Sequence, residues 1–187
     1  DNFWLVFHND RSTDALSFME SERHQLPTEG EIKVLFRLLL LAVSSLHEQG
    51  LVHRALNPSN LMISRPSSHT ISLKLGSPWT VASESAPHVR ETSDKSCPHS
   101  SLYQAPEVLN GGSAAYSKAA DMWSLGVLLF VFAYGRFPFA SVDDIHWYRL
   151  EMPCQTESSH SFTHLVKQLL QAQPALRPSA AQVADHP

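Results

Sequence analysis

Between His53 and Asn60 the chain reads His53-Arg54-Ala55-Leu56-Asn57-Pro58-Ser59-Asn60, and a little further on Ser77-Pro78-Trp79. As side chains, Ala55 has no oxygen to offer, Asn57 can donate a hydrogen bond but carries no charge, Asn60 supplies an amide oxygen, and Ser77 is a poor Mg²⁺ ligand beside an anionic carboxylate. Pro78 locks its own φ and Trp79 adds bulk, so the second segment is expected to be stiff and bulky.

Other reactive side chains form no set. The sequence has eleven histidines, scattered along the chain, with His47 and His53 near the cluster and His88 and His99 in a polar stretch. No H-E-x-x-H spacing occurs, so no metal site is expected. The two cysteines, Cys97 and Cys154, have no metal or redox spacing. An intracellular, cytoplasmic setting with reduced thiols is the expectation.

The elements that position the cluster can be read from pattern. The 187 residues are 43% hydrophobic and 17% charged, enough for one domain with a real core. A net charge of −4 gives no electrostatic case for nucleic acid. The longest apolar runs, Leu38–Val43 and Val127–Ala133, fall well short of the roughly 18 residues that span a bilayer, so no membrane is expected. The chain starts without methionine or a signal peptide and ends abruptly at Asp185-His186-Pro187, which suggests a piece of a longer protein.

Phe3–Phe7 reads as a strand, and Asp14–His24 as a short helix. Thr28 and Glu31 fit a capping box. After them Ile32, Leu35, Phe36, Leu39, Val43 and Leu46 recur at three- and four-residue steps, predicting a long helix to about Gly50. Strand signals follow at Leu61–Ile63 and Ile71–Leu75. Thr80–Ser101 is polar and reads as a long mobile loop. Met122–Tyr134 is apolar on nearly every side and predicts a buried helix stopped by Gly135 and Pro138. Three shorter helices are expected near Val142–Leu150 behind a Ser141 cap, near Phe162–Gln171, and from Ser179, whose capping box is completed by Gln182.

Several motifs, in this order, resemble the eukaryotic protein kinase family, and the resemblance covers nearly the whole chain. The loop at His53–Asn60 resembles the H-R-D-L-K-P-x-N catalytic loop. Ser101-Leu102-Tyr103-Gln104-Ala105-Pro106-Glu107 resembles the end of the activation segment with its A-P-E. Asp121-Met122-Trp123-Ser124-Leu125-Gly126 resembles D-x-W-S-x-G, and Arg177-Pro178-Ser179 resembles R-P-S/T. The resemblance implies a mainly α, α+β kinase-like fold over 1–187. Residues 3–10 would be the last small-lobe strand and hinge and 11–187 the helical large lobe, with the Gly-rich loop, strand lysine and helix glutamate upstream of Phe3. It implies that Glu107 pairs with Arg177, that Asp121 accepts backbone N–H bonds from the catalytic loop, and that His53 packs beneath it.

The same resemblance puts Ala55 at the catalytic aspartate, Asn57 at the transfer lysine and Ser77 at the D-F-G aspartate, with Asn60 retained. It places Phe7, as gatekeeper, with His8 and Met62 along an adenine pocket, and makes Arg54 the reader of any phosphate on the Ser, Thr or Tyr residues of Thr80–Tyr103. The implied function is a catalytically inactive pseudokinase that regulates or scaffolds through a protein partner, with Trp147 and Tyr148 as candidate anchors. No cofactor or metal is expected, and any ATP binding would be weak and independent of Mg²⁺. The alternatives are a nucleotide-binding switch without turnover, and a weakly active atypical serine/threonine kinase.

Overall fold

The computed structural model describes residues 13–15, 17, 28–67, 70–84, 86, 97, 99–111, 116–153 and 160–186. Its longest helix, α1 (Glu29–Glu48), starts where the capping box predicts. The Thr28 hydroxyl accepts from Glu31 N at 3.3 Å, and the Glu31 carboxylate accepts from Thr28 N at 3.0 Å. Two of the helix's orphan donors are thereby satisfied reciprocally. The buried stripe of Ile32, Leu35, Phe36, Leu39, Leu40 and Val43 faces the core, and His47 is buried at its far end. Gly50, at φ +72°, turns the chain out of the helix into β2 (Leu51–Val52).

The chain then forms the loop at His53–Asn60 and enters a hairpin of β3 (Leu61–Ser67) and β4 (Thr70–Leu75). Leu61 stands opposite Leu75 and Ile63 opposite Leu73. A short β1 (Thr13–Asp14) pairs with Met62–Ile63 on the other side of β3, giving the order β1-β3-β4. A second ladder joins β2 to β5 (Ala82–Ser83). β4 lies against α1, so the hairpin is held to the helical layer.

A short α2 (Pro106–Leu109) precedes the central helix, α3 (Lys118–Tyr134). From Ala120 to Phe132 nearly every side chain of α3 is buried, as its all-round apolar pattern predicts. A Cβ on Gly126 would stand 2.8 Å from Leu169 Cβ, so only glycine lets α3 and α5 approach this closely. Gly135 ends the helix at φ +62°. α4 (Val142–His146), α5 (His160–Leu169) and α6 (Ala180–Ala184) complete the layer. Ser141 caps α4, and Ser179 with Gln182 closes a second capping box on α6.

The pattern reading needs correction at particular places. Thr13–Asp14 is strand, and the expected Asp14–His24 helix begins one residue later: Ala15 and Ser17 are helical, and the Asp14 carboxylate accepts from Ser17 N at 2.8 Å as its cap. The rest of the Asp14–His24 helix, apart from Ala15 and Ser17, lies outside the described residues, as do Phe3–Phe7 and the hinge. The hairpin strand runs four residues beyond Ile63 to Ser67. Part of the expected Thr80–Ser101 loop is ordered, because Ala82–Ser83 has a ladder partner in Leu51–Val52 and a 3-10 turn spans Ser100–Tyr103. α4 stops at His146, four residues early, since Tyr148 takes φ +52° and cannot continue a right-handed helix. α3 starts four residues before Met122, its first turn fixed by Ser117 O accepting from Asp121 N at 3.4 Å.

Candidate functional site

The loop at His53–Asn60 is bolted from behind. Asp121, buried in the first turn of α3, accepts from three donors. His53 N lies 2.8 Å from its Oδ2, Arg54 N lies 3.0 Å from its Oδ1, and His47 Nε2 lies 2.9 Å from its Oδ2. A carboxylate suits this position because both oxygens accept and neither donates. Arg54 sits at φ +70°, a conformation that non-glycine residues adopt at a cost. The bond to its N–H holds it there. His47 is a partner that sequence reading missed, since nothing local to its helix end signals a carboxylate 74 residues away.

His53 is fully buried and sits against Gly76. Its Nε2 lies 3.1 Å from Gly76 O and its Nδ1 3.4 Å from Ala55 N. The carbonyl only accepts and the amide only donates, so the ring must carry its proton on Nε2 and accept at Nδ1. That is a neutral imidazole. Burial is the largest influence and lowers its pKa below the ordinary histidine value, while Asp121 and the Gly76 carbonyl pull the other way. The linkage sign follows. Below the unfolded-state pKa of about 6.5 the unfolded chain takes up a proton that the folded chain refuses. The stability tied to His53 is therefore present in full above about pH 6.5 and lost as pH falls from there through the folded-state value. Urea unfolding of the wild type should show this decline across that window, and His53→Asn should flatten it. An unchanged slope in the variant would refute the assignment.

The front of the loop is arranged differently. Asn57 is buried and turned inward, its side-chain oxygen accepting from Asn60 N at 3.3 Å to start a 3-10 turn over Pro58–Asn60. It does not project as a free donor. The Asn60 side chain is engaged at both ends: Nδ2 donates to Ala55 O at 2.9 Å, and Oδ1 accepts from the Ser77 hydroxyl. Asn60 O also accepts from Gly76 N at 2.8 Å. Ser77 is buried at φ +54°, and a second 3-10 turn, Pro78–Thr80, begins after it, locked by Thr80 Oγ1 donating to Ser77 O at 2.8 Å. Trp79 stands out of this stiff turn with 76% of its surface exposed.

A Mg²⁺ ion placed here would meet one hydroxyl and one amide oxygen already bonded to each other. Among the described residues no group of three His, Cys, Asp or Glu could hold a metal. The donor set is neutral and internally satisfied, and it does not fit a hard dication. Between Ala55, Asn57, Gln104 and Ser124 lies a cavity of about 20 Å³, room for about one water. Arg54 reaches the other way: Nη2 donates to Ser83 O at 2.9 Å and Ala86 O at 3.1 Å, and its guanidinium lies 5.7 Å from the Tyr116 ring centroid. Arg54 Nε has no partner among the described residues.

The remaining candidates are dispersed. Met62 is half-buried in β3, opposite Lys74, while Phe7 and His8 lie outside the described residues. Glu107 and Arg177 meet in a bidentate pair at 2.6 and 2.7 Å. Trp147 is 72% exposed and Tyr148 38%, the Tyr148 ring centroid lying 6.2 Å from that of Phe139. A groove of about 790 Å³ lies away from the loop, lined by Ile32, Phe36, Leu129 and Phe162 among others. No helix among the described residues is long and apolar enough to cross a membrane.

Comparison with known proteins matches this arrangement to one family. The protein kinase domain family matches residues 1–187. The chain is 33% identical over 174 residues to serine/threonine-protein kinase GIN4 of Saccharomyces cerevisiae, covering 89% of this chain and 14% of that protein. It is 31% identical over 189 residues to a probable myosin light chain kinase of Dictyostelium discoideum, covering 95% and 56%. It is 31% identical over 219 residues to MAP kinase-interacting serine/threonine-protein kinase 2 of Xenopus laevis, covering 100% and 46%. The chain thus spans from 14% to 56% of the length of these relatives.

Proposed function

Because the chain belongs to the protein kinase domain family, we propose that it is a catalytically inactive member, a pseudokinase domain that works by binding a protein partner. The observation that carries this reading is the Asn60 side chain, bonded at one end to Ala55 O and at the other to the Ser77 hydroxyl. The position where phosphate chemistry needs a metal-binding oxygen is closed by an internal hydrogen bond between neutral groups. Ala55 offers no base, and Asn57 is turned inward as a cap. Losing one such electrostatic group commonly costs a factor of about 10²–10³ in rate, and here several are replaced together.

What the chain retains is a rigid surface. Trp79 and Trp147 present large aromatic faces to solvent, the side-chain type most enriched among binding hot spots. They support a partner of protein chemistry in an intracellular regulatory or scaffolding role.

The full-length protein incubated with radiolabelled ATP and Mg²⁺ is expected to transfer no phosphate to itself or to generic serine/threonine substrates. Ala55→Asp alone is expected to leave this result unchanged. The cavity beside Ala55 gives the new carboxylate some room, but Asn57 and Ser77 remain. Transfer by the wild type that disappears in Asn60→Ala would overturn the reading. A thermal-shift series with ATP distinguishes the second role, a nucleotide-binding switch. In that role melting rises equally with and without Mg²⁺, since Met62 and the rest of an apolar adenine floor need no charge.

A further inference from the structure

The groove of about 790 Å³ is built from α1, α3, α5 and α6 and takes no residue from the kinase-like site. α1 lines it with two rows at four-residue steps. Ile32, Phe36 and Leu40 form a buried row, and Glu29, Lys33, Arg37 and Leu41 an exposed one. We propose that this groove is the docking site for one amphipathic α-helix of a partner protein, about three turns long, with an apolar inner face and a carboxylate beside it. The inference rests on the reading of the chain as a partner-binding domain, and it gives that partner a chemistry.

Shape selects a helix. From Glu29 to Leu41 the groove follows α1 for about 18 Å, at about 1.5 Å per residue. Spread over that length, its 790 Å³ gives a mean cross-section of about 44 Å². A helix is about 10–12 Å across, and half of its section is about 40–55 Å². The groove therefore takes the apolar half of a helix and leaves the polar half in water. Rows at four-residue steps are also the ridges over which helices pack, and the depression between two rows accepts a row from a second helix. An extended peptide fits poorly. The walls are helices whose interior backbone groups are already bonded, so a strand laid between them would bury N–H and C=O groups without partners. A helix brings its own bonds and needs only anchors at i, i+3, i+4 and i+7.

Charge selects the sign of its flank. Lys33 and Arg37 stand one turn apart in the exposed row. Lys33 already has Glu29 at 2.9 Å. Arg37 has no hydrogen bond or ion pair with any described residue, so a carboxylate beside the apolar face of the docked helix meets it without breaking a native pair. Leu41, 57% exposed, continues the apolar surface one turn beyond Arg37. Across the groove from α1, Phe162 and Leu165 of α5 are half-buried, which leaves apolar surface there for the helix to cover.

The test is fluorescence anisotropy of the full-length protein with two labelled synthetic helices of about fourteen residues, stapled to hold their shape. Both carry leucine at i, i+3, i+4, i+7 and i+11. One has glutamate on both flanks of the leucine face, and the other has lysine. The glutamate helix is expected to bind saturably, and the lysine helix about 5–10-fold more weakly. Arg37→Glu should reverse that order, and Leu41→Glu should weaken the glutamate helix by about 10-fold. Leu176→Ser, at another exposed apolar residue, should leave both affinities unchanged. All three positions are exposed, so the variants should fold, which their melting curves verify. Absence of saturable binding by either helix would overturn the proposal. So would equal affinities for the two helices that Arg37→Glu leaves equal. Binding of sodium dodecanoate in place of both helices would assign the groove to an acyl chain and overturn it as well. Phosphate transfer measured on the same preparation decides the inactive reading separately, so a failed helix titration and an active kinase are distinct results.

Discussion

Arg177→Ala is expected to lower the unfolding free energy by about 3–5 kcal/mol, the range for breaking a buried ion pair. In a chain of this size that corresponds to a fall in melting temperature on the order of 10 °C. The reason is complete use of the guanidinium. Its Nε donates to Gln171 O at 2.7 Å, Nη1 to Glu107 Oε1 at 2.6 Å and Ala119 O at 2.9 Å, and Nη2 to Glu107 Oε2 at 2.7 Å and Ala172 O at 3.2 Å. All the N–H groups that arginine possesses are therefore placed. The guanidinium also lies 5.0 Å from the Trp123 ring centroid, which is stacked on Phe139. Truncation orphans three carbonyls and a carboxylate at once. Glu107→Ala should cost less, because the side chain of Glu107 is 21% exposed while that of Arg177 is fully buried, and three carbonyls would still hold the cation. Arg177→Lys should be intermediate, since a lysine has three donors and no planar fork. Urea unfolding of the three variants measures the order. An Arg177→Ala loss below about 1 kcal/mol, the level of an exposed pair, would refute the account.

Asp121→Ala is the second large loss, expected at about 3–5 kcal/mol. It leaves the His53 and Arg54 amides, and the His47 ring, without their shared acceptor. Asp121→Asn should be nearly as severe. Oδ1 and Oδ2 both accept in the wild type, and an amide would turn its NH₂ toward one of these donors. Faster amide hydrogen exchange confined to His53, Arg54 and their neighbours would locate the damage. Wild-type exchange at these amides in Asp121→Asn would show that Asp121 does not hold the loop.

The elements most legible in the sequence are those whose signals are local. Thr28 and Glu31, Ser179 and Gln182, and Ser141 lie within one turn of the helices they start, and the α1 stripe repeats long enough to be counted. The motif resemblance located Asp121 and both members of the Glu107–Arg177 pair. Contacts closed only in three dimensions were not legible. β2 and β5 have two residues each, too few to display a period, and each exists because the other lies beside it. His47 reads as an ordinary helix end until α3 brings Asp121 to it. The inward turn of Asn57 depends on the Asn60 amide, and the early stop of α4 on a positive φ at Tyr148 that its residue type does not announce. His164 and His186, 22 residues apart, meet only in three dimensions.

The three donors that meet at Asp121 come from two backbone amides and a histidine outside the loop, so this anchor does not depend on which side chains stand at Ala55 and Asn57. This separation has an evolutionary reading. A change at Ala55 leaves the Asp121 anchor in place, whereas changes at Asp121 or Arg177 carry a large cost to folding. A catalytic function carried on such a loop can be lost by drift while the domain stays folded. Under the proposed inactive reading, a return to phosphate chemistry would take several changes at once, because the Ser77 hydroxyl and the Asn60 side chain are bonded to each other.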